Sequence, residues 1–208
     1  MSVIKTGSMA QHIFIAGRTG SGKSELVQKY LSGYYNVICL DTKGTVDWNK
    51  IIPDIKIYTH LMDLIKNHQI GKAIYRPCWE ELNPHYYNKF FEYIYLRQNT
   101  HVWIDEVMSI CKGNDIPDFY MACLTRGRTL GINCWSVTQR PKTIPLIILS
   151  ESSHFYIFDL NLEADKKRIQ EIIPFKEIEE IPSKVGGEFS FWYYNFKMEH
   201  PIISKINL

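Results

Sequence analysis

Short apolar runs alternate with longer amphipathic stretches along most of the chain, and most of the runs end beside a polar or turn-forming residue. Apolar runs of about four to eight residues are typical of buried strands. Their alternation with amphipathic stretches is typical of βαβ units and a parallel sheet. The pattern predicts strands over 12–17, 36–41, 72–77, 101–106, 132–139 and 154–160.

Apolar residues at helical spacing predict the helices between these strands. Leu26, Val27, Tyr30 and Leu31 share one face of a helix that begins near Ser24. Three further helices are predicted over 85–98, over 118–128 with a break near Gly127, and over 161–174 with Asn161 as the N-cap and Pro174 as the end.

The segment GGEFSFWYYNFKMEH at 186–200 is rich in aromatic residues and predicts a terminal strand or hairpin. The predicted fold class is therefore α/β, with a mainly parallel central sheet, helices on both faces and a C-terminal antiparallel strand or hairpin. Residues 11–208 are predicted to form a single domain after a flexible leader at 1–10. Ligands of such sheets bind at the carboxyl ends of the strands.

Composition and charge leave several classes of protein open. The 208 residues suffice for one α/β domain, and a hydrophobic content of 45% indicates a globular chain. The 24 basic and 22 acidic residues give a net charge of +2, which neither requires nor excludes nucleic acid as a partner. The five cysteines include no CxxC pair, which favours reduced thiols in a cytosolic compartment.

Two targeting features are not expected from this sequence. Its best apolar run, IPLIIL at 144–149, is far shorter than the roughly eighteen residues of a membrane span. The N-terminal stretch MSVIKTGSMAQ lacks the apolar segment of a signal peptide. We therefore expect no membrane-spanning helix.

The segment GRTGSGKS at 17–24 directly follows the first predicted strand and matches the G-x-x-x-x-G-K-[ST] pattern of a phosphate-binding loop. Glycines allow a tight turn whose N–H groups point at phosphate oxygens, and the following helix N-terminus favours anions. Lys23 is predicted to reach the β- and γ-phosphates, and the Ser24 hydroxyl to ligate Mg²⁺. The residues predicted to bind the nucleotide are Gly17, Arg18, Thr19, Gly20, Ser21, Gly22, Lys23 and Ser24.

The segment HVWIDE at 101–106 predicts the second half of the site. A buried strand that ends in an acid would deliver Asp105 to the sheet edge as an Mg²⁺ ligand, in the manner of a Walker B aspartate. The adjacent Glu106 would then be free to polarise the attacking water as a general base. Acids can also end a strand without a catalytic role, as the segment FDL at 158–160 illustrates.

Other classes of phosphate-loop protein fit less well. A GTPase needs an N-K-x-D element, but NKII at 49–52 has isoleucine in place of the aspartate. The segment LSGYY at 31–35 resembles the signature of an ABC-type ATPase in only three letters and lies on the wrong helix. A small-molecule kinase needs an arginine-rich lid and an acceptor domain, for which the chain has little space. ATP hydrolysis coupled to motion is the remaining class.

The segment TRGRTLGINCWSVTQRP at 125–141 resembles the corresponding element of the HerA–FtsK superfamily of DNA-pumping, RecA-like P-loop ATPases. The phosphate loop, the D-E strand and this element occur in the superfamily's order and together cover residues 12–141. The chain looks most like the genome-packaging ATPases of tailless icosahedral membrane-containing viruses, including the archaeal turreted ones. The DTKG segment at 41–44 is similar to the sequence that follows the superfamily's second strand.

The resemblance implies roles for residues beyond the phosphate loop. The glutamine at the strand end, Gln139, would sense the γ-phosphate and orient the water. An arginine upstream of that strand would act in trans on the ATP of the neighbouring subunit; Arg128 matches the spacing best, with Arg126 in reserve. Such an arginine stabilises charge on the transferred phosphoryl group, and its supply by a neighbour implies a head-to-tail ring.

The same resemblance implies cofactors, partners and a location. These are ATP and Mg²⁺, double-stranded DNA, a homo-oligomeric ring of five or six subunits, and capsid vertex proteins. The place of action would be the host cytoplasm during assembly, with the virion as a second location. Lys43 and Lys142 follow strand ends where DNA phosphates would pass, although surface lysines are commonly only solvated.

Two other functions stay open at this point. One is a virion morphogenesis or protein-secretion ATPase that does not act on DNA. The other is a nucleotide-gated structural subunit with negligible turnover.

Overall fold

The computed structural model describes residues 11–68 and 71–206, and the leader predicted at 1–10 lies outside the described residues. The strands are β1 (His12–Ala16), β2 (Val37–Leu40), β3 (Lys56–Tyr58), β4 (Lys72–Tyr75), β5 (His101–Ile104), β6 (Asn133–Thr138), β7 (Ser152–Ile157), β8 (Ser190–Asn195) and β9 (Ile202–Lys205). The helices are α1 (Lys23–Ser32), α2 (Leu61–Asn67), α3 (Pro84–Arg97), α4 (Asp118–Arg126), α5 (Leu146–Ser150), α6 (Glu163–Gln170) and α7 (Pro182–Gly186).

The strands form one sheet in the order β3-β4-β2-β5-β6-β1-β7-β8-β9. Every pairing from β3 to β7 is parallel, whereas β8 and β9 pair antiparallel with their neighbours. The predicted fold class, a mainly parallel sheet with a C-terminal antiparallel hairpin, is confirmed. Because the parallel strands point the same way, the loops that follow β1, β2, β5, β6 and β7 meet at one edge of the sheet.

Alternate residues of the central strands face opposite sides of the sheet, and each side has its own hydrophobic core. Ile13 and Ile15 of β1 belong to the core that α1 covers, together with Trp48 from the loop after β2. Phe14 and Ala16 belong to the core that α2 to α6 cover. Helices therefore pack on both faces of the sheet, as predicted. The helix α1 covers one face, and α2 to α6 cover the other.

The six predicted strands and four predicted helices are all present, with small shifts at their ends. The helix predicted over 161–174 is the largest correction. Leu162, in an extended conformation, precedes its first turn without any side-chain cap, so Asn161 is not the N-cap. The helix ends at Gln170, because the following N–H groups fold back onto the Ile169 carbonyl oxygen in a tight turn before the proline.

The hydrophobic pattern predicts no element between 42 and 71, where the structure has β3 and α2. β3 is an edge strand with mostly exposed side chains, so it lacks the apolar run that indicates a buried strand. α2 buries only Leu61 and Leu64. The short helices α5 and α7 are also absent from the sequence prediction. None of the helices within the described ranges combines the length and apolar character needed to cross a membrane.

Candidate nucleotide-binding site

The segment between β1 and α1 forms a tight loop that depends on its glycines. Gly20 and Gly22 have φ angles of 75° and 100°, in the left-handed region that favours glycine. At Gly17 a larger residue is excluded by steric conflict, because an added Cβ would lie 2.5 Å from the Cβ of Phe158. The loop that the sequence predicts at 17–24 is therefore present, with the first N–H groups of α1 at its end, where a helix leaves them unpaired.

Lys23, the first residue of α1, folds back over this loop. Its Nζ donates a hydrogen bond to the main-chain oxygen of Arg18 at 2.8 Å. Burial lowers the pKa of Lys23 to about 8, and the negative charges of Glu106 and Asp105 act in the opposite direction. The Ser21 hydroxyl is buried and has no hydrogen-bond partner among the described residues. The loop thus holds a buried cation and an unsatisfied hydroxyl.

Asp105 follows β5 and reaches the start of α1. The Ser24 hydroxyl donates to Asp105 Oδ1 at 3.4 Å, so the two predicted Mg²⁺ ligands lie next to each other. Burial and, to a smaller extent, the nearby carboxylate of Asp41 raise the pKa of Asp105 to about 6. A divalent cation beside Asp105 would favour the ionised carboxylate.

Glu106 forms an ion pair that the sequence did not predict. Its side chain is buried, and its Oε2 lies 2.8 Å from Nζ of Lys43. This contact forms because β2 is the neighbour of β5, so the loop after β2 passes in front of Glu106. The carboxylate of Asp41 fixes that loop by accepting the N–H groups of Thr45 and Val46 at 3.2 Å. Lys43 is therefore a partner of the predicted base.

Gln139 follows β6, the strand between β5 and β1, and touches the phosphate loop. Its Oε1 accepts a hydrogen bond from the Thr19 hydroxyl at 2.9 Å. Arg140 turns away and pairs with buried Asp165, its Nε lying 2.9 Å from Oδ2. A cavity of about 320 Å³ opens between Gln139, Thr19 and the start of α6.

Arg128 lies at the opposite edge of the sheet, near its amino ends. Its Nη2 donates to the main-chain oxygen of Glu151 at 2.6 Å and lies 3.4 Å from the Glu151 carboxylate. Glu151 immediately precedes β7, so Arg128 is about a strand length away from the phosphate loop of its own chain. Arg126, at the end of α4, is exposed and forms no ion pair with any residue of 11–68 or 71–206.

Three comparisons with known proteins bear on this arrangement. DNA packaging ATPase P9 of Enterobacteria phage PRD1 is 28% identical over 169 residues, which cover 79% of this chain and 70% of that protein. The genome-packaging NTPase B204 of Sulfolobus turreted icosahedral virus 2, in complex with sulfate, superposes with a TM-score of 0.77 at 18% identity, over 97% of this chain and 98% of that one. Its complex with ATP-gammaS gives a TM-score of 0.74 at 19% identity, over 94% and 97%. No family model matches the sequence.

The fold is that of the genome-packaging P-loop ATPases. The resemblance to the packaging ATPases of icosahedral viruses that the sequence carries is thereby confirmed. Within this packaging-ATPase fold, the phosphate loop, the acid pair and Gln139 meet at the carboxyl edge of the sheet. The donor set of a buried lysine, an unpaired hydroxyl and free helix N–H groups fits a triphosphate, and a hydroxyl beside a carboxylate fits Mg²⁺.

Sequence reasoning missed two contributions to this site in the packaging-ATPase fold. Lys43 reaches Glu106, although its sequence position indicated a contact with DNA phosphates or a solvated surface lysine. Asp41, with its side chain fully buried, holds that loop and also pairs with Arg76 at 2.9 Å. The sequence feature that could have indicated both contributions is the DTKG segment directly after the second predicted strand.

Proposed function

We propose that this chain is an ATP-hydrolysing motor that moves double-stranded DNA into a viral capsid. The observation that carries the proposal is that Lys23, Ser24, Asp105 and Gln139 converge at one sheet edge, in a chain that the packaging-ATPase fold covers almost completely. The sequence similarity to DNA packaging ATPase P9 supports the same function. Export of virion proteins has no comparable support.

In this proposal the phosphate loop binds ATP through backbone N–H groups and Lys23. Lys23 leaves the Arg18 oxygen and contacts the β- and γ-phosphates, which satisfies its buried charge better than a single carbonyl does. The residues in contact with the nucleotide are those of 17–24. Ser21 gains a partner for its buried hydroxyl.

Ser24 and Asp105 are the residues that would hold Mg²⁺. Held by these two residues, Mg²⁺ would supply positive charge that stabilises the phosphate oxygens. Burial is the main cause of the raised pKa of Asp105, about 6. Asp105 ionises fully when a positive charge is placed beside it.

Glu106 is the proposed general base for the attacking water. To act, its carboxylate must be released from Lys43, whose ammonium group neutralises it and occupies Oε2. Gln139 orients the same water and contacts the γ-phosphate, and its hydrogen bond to Thr19 already places it beside the loop. We propose Lys43 as the residue that holds Glu106 in the resting protein.

The arginine that completes the site comes from a neighbouring subunit in this proposal. Arg128 and Arg126 lie far from the phosphate loop of their own chain, so either can act only across a subunit contact. Arg128 has the predicted spacing but is held by Glu151, whereas Arg126 is exposed. A head-to-tail ring of five or six subunits would place such an arginine at every nucleotide.

The proposal also includes the macromolecules that the motor would bind. Double-stranded DNA would be held through its phosphates, without sequence preference, and capsid vertex proteins would anchor the ring. Assembly in the host cytoplasm, with later association with the virion, follows from the packaging role.

The decisive experiment measures ATP turnover with and without duplex DNA at several salt concentrations. Packaging predicts turnover that duplex DNA stimulates and that rising salt weakens, because phosphate contacts release counterions. A Lys23→Ala variant serves as the control, since its loss of turnover assigns the activity to this loop. ATP turnover that duplex DNA does not stimulate would favour the secretion or morphogenesis alternative. Negligible turnover under all conditions would favour a structural subunit.

A further inference from the structure

Three potential metal ligands lie together at the β3–β4 edge of the sheet. His60 follows β3, and Cys78 and Glu81 follow β4; we call them the edge cluster. Within residues 11–68 and 71–206 it is the one group of three His, Cys, Asp or Glu side chains whose ligand atoms all lie within 4.8 Å of one another. β2, β5 and β6 separate it from the phosphate loop.

The distances within the edge cluster match those between ligands of a tetrahedral zinc ion. Cys78 Sγ lies 3.5 Å from His60 Nδ1, and Glu81 Oε1 lies 3.5 Å from the same nitrogen. Zinc bonds of about 2.3 Å to sulfur and about 2.0–2.1 Å to nitrogen and oxygen place tetrahedral ligands about 3.6 Å (S to N) and about 3.4 Å (N to O) apart. These two distances therefore match a tetrahedral zinc site, and all three donor atoms lie within 4.8 Å of one another.

Glu81 is oriented toward this point by its other oxygen. Its Oε2 accepts hydrogen bonds from the Tyr75 hydroxyl at 2.5 Å and the Leu61 N–H at 2.8 Å. Its Oε1 accepts no hydrogen bond from any described residue, although the residue is only 6% exposed. This oxygen is therefore available as a zinc ligand. Such outer contacts commonly orient metal-binding carboxylates.

His60 and Cys78 are held in position by the backbone. The Cys78 N–H donates to the Thr59 carbonyl oxygen at 2.9 Å, which joins the chain after β4 to the chain after β3. The Glu81 N–H donates to the Cys78 carbonyl oxygen at 3.0 Å in the short turn that follows. All three side chains thus project from segments of fixed geometry.

The arrangement does not fit a catalytic cysteine whose thiol is activated by proton transfer through a histidine. A catalytic relay needs the thiol and the carboxylate on different ring nitrogens, so that a proton passes across the imidazole. Here both groups face Nδ1 of His60. Convergence on one nitrogen is what a shared cation produces.

We propose that His60, Cys78 and Glu81 bind a zinc ion, with water as the fourth ligand. Sulfur, imidazole and carboxylate together favour zinc over magnesium, which prefers oxygen ligands only. Cys78 binds as the thiolate, and its proton is released to solvent on binding. The ion connects β3 and α2 to the end of β4 and stabilises the exposed edge of the sheet. The site shares no residue with the nucleotide site.

The test uses the full chain, reduced, in excess Mg²⁺, titrated with Co²⁺ as a spectroscopic substitute and then with Zn²⁺. The wild type is expected to bind one Co²⁺ with tetrahedral visible bands and a thiolate-to-cobalt charge-transfer band, and Zn²⁺ should displace it. Cys78→Ser should abolish the charge-transfer band, and Cys78→Ser and His60→Ala should each weaken Zn²⁺ binding at least about tenfold. His85→Ala, which removes an exposed histidine outside the cluster, is the matched control and should bind like the wild type.

Zn²⁺ should also raise the melting temperature of the wild type and of His85→Ala, but not that of Cys78→Ser. Circular dichroism checks that each variant is folded, and Cys78 is the one cysteine of the five that is not buried, so its replacement does not disturb the core. Absence of stoichiometric binding by the wild type would overturn the proposal, and so would a charge-transfer band that survives in Cys78→Ser. Neither outcome depends on ATP turnover.

Discussion

Burial controls the charge state of the side chains at the nucleotide site more than any single neighbour does. It is the largest cause of the lowered pKa of Lys23 and of the raised pKa of Asp105. Both shifts disfavour the charged form, and a phosphate beside Lys23 or a cation beside Asp105 would favour it. Glu106 forms a direct ion pair with Lys43 at 2.8 Å.

Glu106→Gln should reduce ATP turnover by about 10²- to 10⁴-fold, the usual contribution of a general base, while leaving ATP binding intact. The substitution keeps the shape of the side chain but removes its ability to accept a proton. Single-turnover hydrolysis and nucleotide affinity, measured on the same sample, separate the two effects. Glu199→Gln is the control, because this exposed acid follows β8, whose last residue pairs with the amino end of β7 and so lies away from the loop. Normal turnover by Glu106→Gln would refute the role.

Gly17→Ala should destabilise the protein by about 1–3 kcal/mol or weaken ATP binding, because the new methyl group meets Phe158 at 2.5 Å. Either the strand pair or the loop must shift to make room. Gly33→Ala is the matched control, since its added methyl group has only an ordinary contact of 3.5 Å with the Tyr30 oxygen. Urea unfolding and nucleotide affinity measure both effects, and two variants that behave alike would contradict the steric argument.

At the scale of elements, the site is made by loops that neighbouring strands bring together. β2 places Lys43 on Glu106, β6 places Gln139 on Thr19, and β5 places Asp105 on Ser24. The amino ends of the strands are joined by a different contact. His12 Nδ1 accepts the Cys134 N–H at 3.1 Å, so its Nε2 donates to the Leu124 oxygen at 2.8 Å. One neutral imidazole thus connects β1, β6 and α4.

This histidine makes stability depend on pH. Burial lowers the pKa of His12 from 6.5 to about 4 in the folded protein, whereas the unfolded chain takes up the proton at its ordinary pKa. Unfolding therefore becomes easier as pH falls from 6.5 toward 4, by up to about 3 kcal/mol, and no further below that.

Urea unfolding of the wild type and of His12→Asn between pH 7 and 4 measures this contribution. The variant should be less stable at pH 7 and should lose less stability on acidification. Some pH dependence should persist, because burial also lowers the pKa of His101 to about 4. His85→Asn, at an exposed site, should follow the wild type, and parallel pH curves for wild type and His12→Asn would contradict the argument.

At the scale of the whole molecule, the two edges of the sheet carry complementary halves of the proposed site. The phosphate loop, Asp105 and Glu106 lie at the carboxyl edge, and Arg126 and Arg128 lie toward the amino edge. No single chain can bring these halves together, because the length of the strands separates them. Turnover should therefore require contact between subunits that repeats in one direction.

Mixing variants tests this requirement. Lys23→Ala and an arginine variant should each be inactive alone. Rings formed from equal amounts of the two should recover about a quarter of the wild-type sites, namely those with an intact loop facing an intact arginine. Arg126→Ala and Arg128→Ala are compared in the same assay. Rescue with Arg126→Ala alone would assign the trans role to the exposed residue, and absence of rescue with both would argue against action in trans.

The sequence by itself determined the buried strands, most of the helices and the phosphate loop, because these depend on local patterns. Apolar periodicity specifies a buried strand or an amphipathic helix, and the glycines of 17–24 permit the turn whatever surrounds it. The acid pair was also readable, since it follows a buried strand directly.

Only the tertiary structure decided which strand lies beside which, and with it the partners of each loop. The order β4-β2-β5-β6-β1 places Lys43 on Glu106 and Gln139 on Thr19, and the β3–β4 edge collects His60, Cys78 and Glu81. The ion pair between Arg128 and Glu151 likewise joins segments that are distant in the sequence. Such pairings depend on the packing of whole elements across the sheet, so no short stretch of sequence contains them.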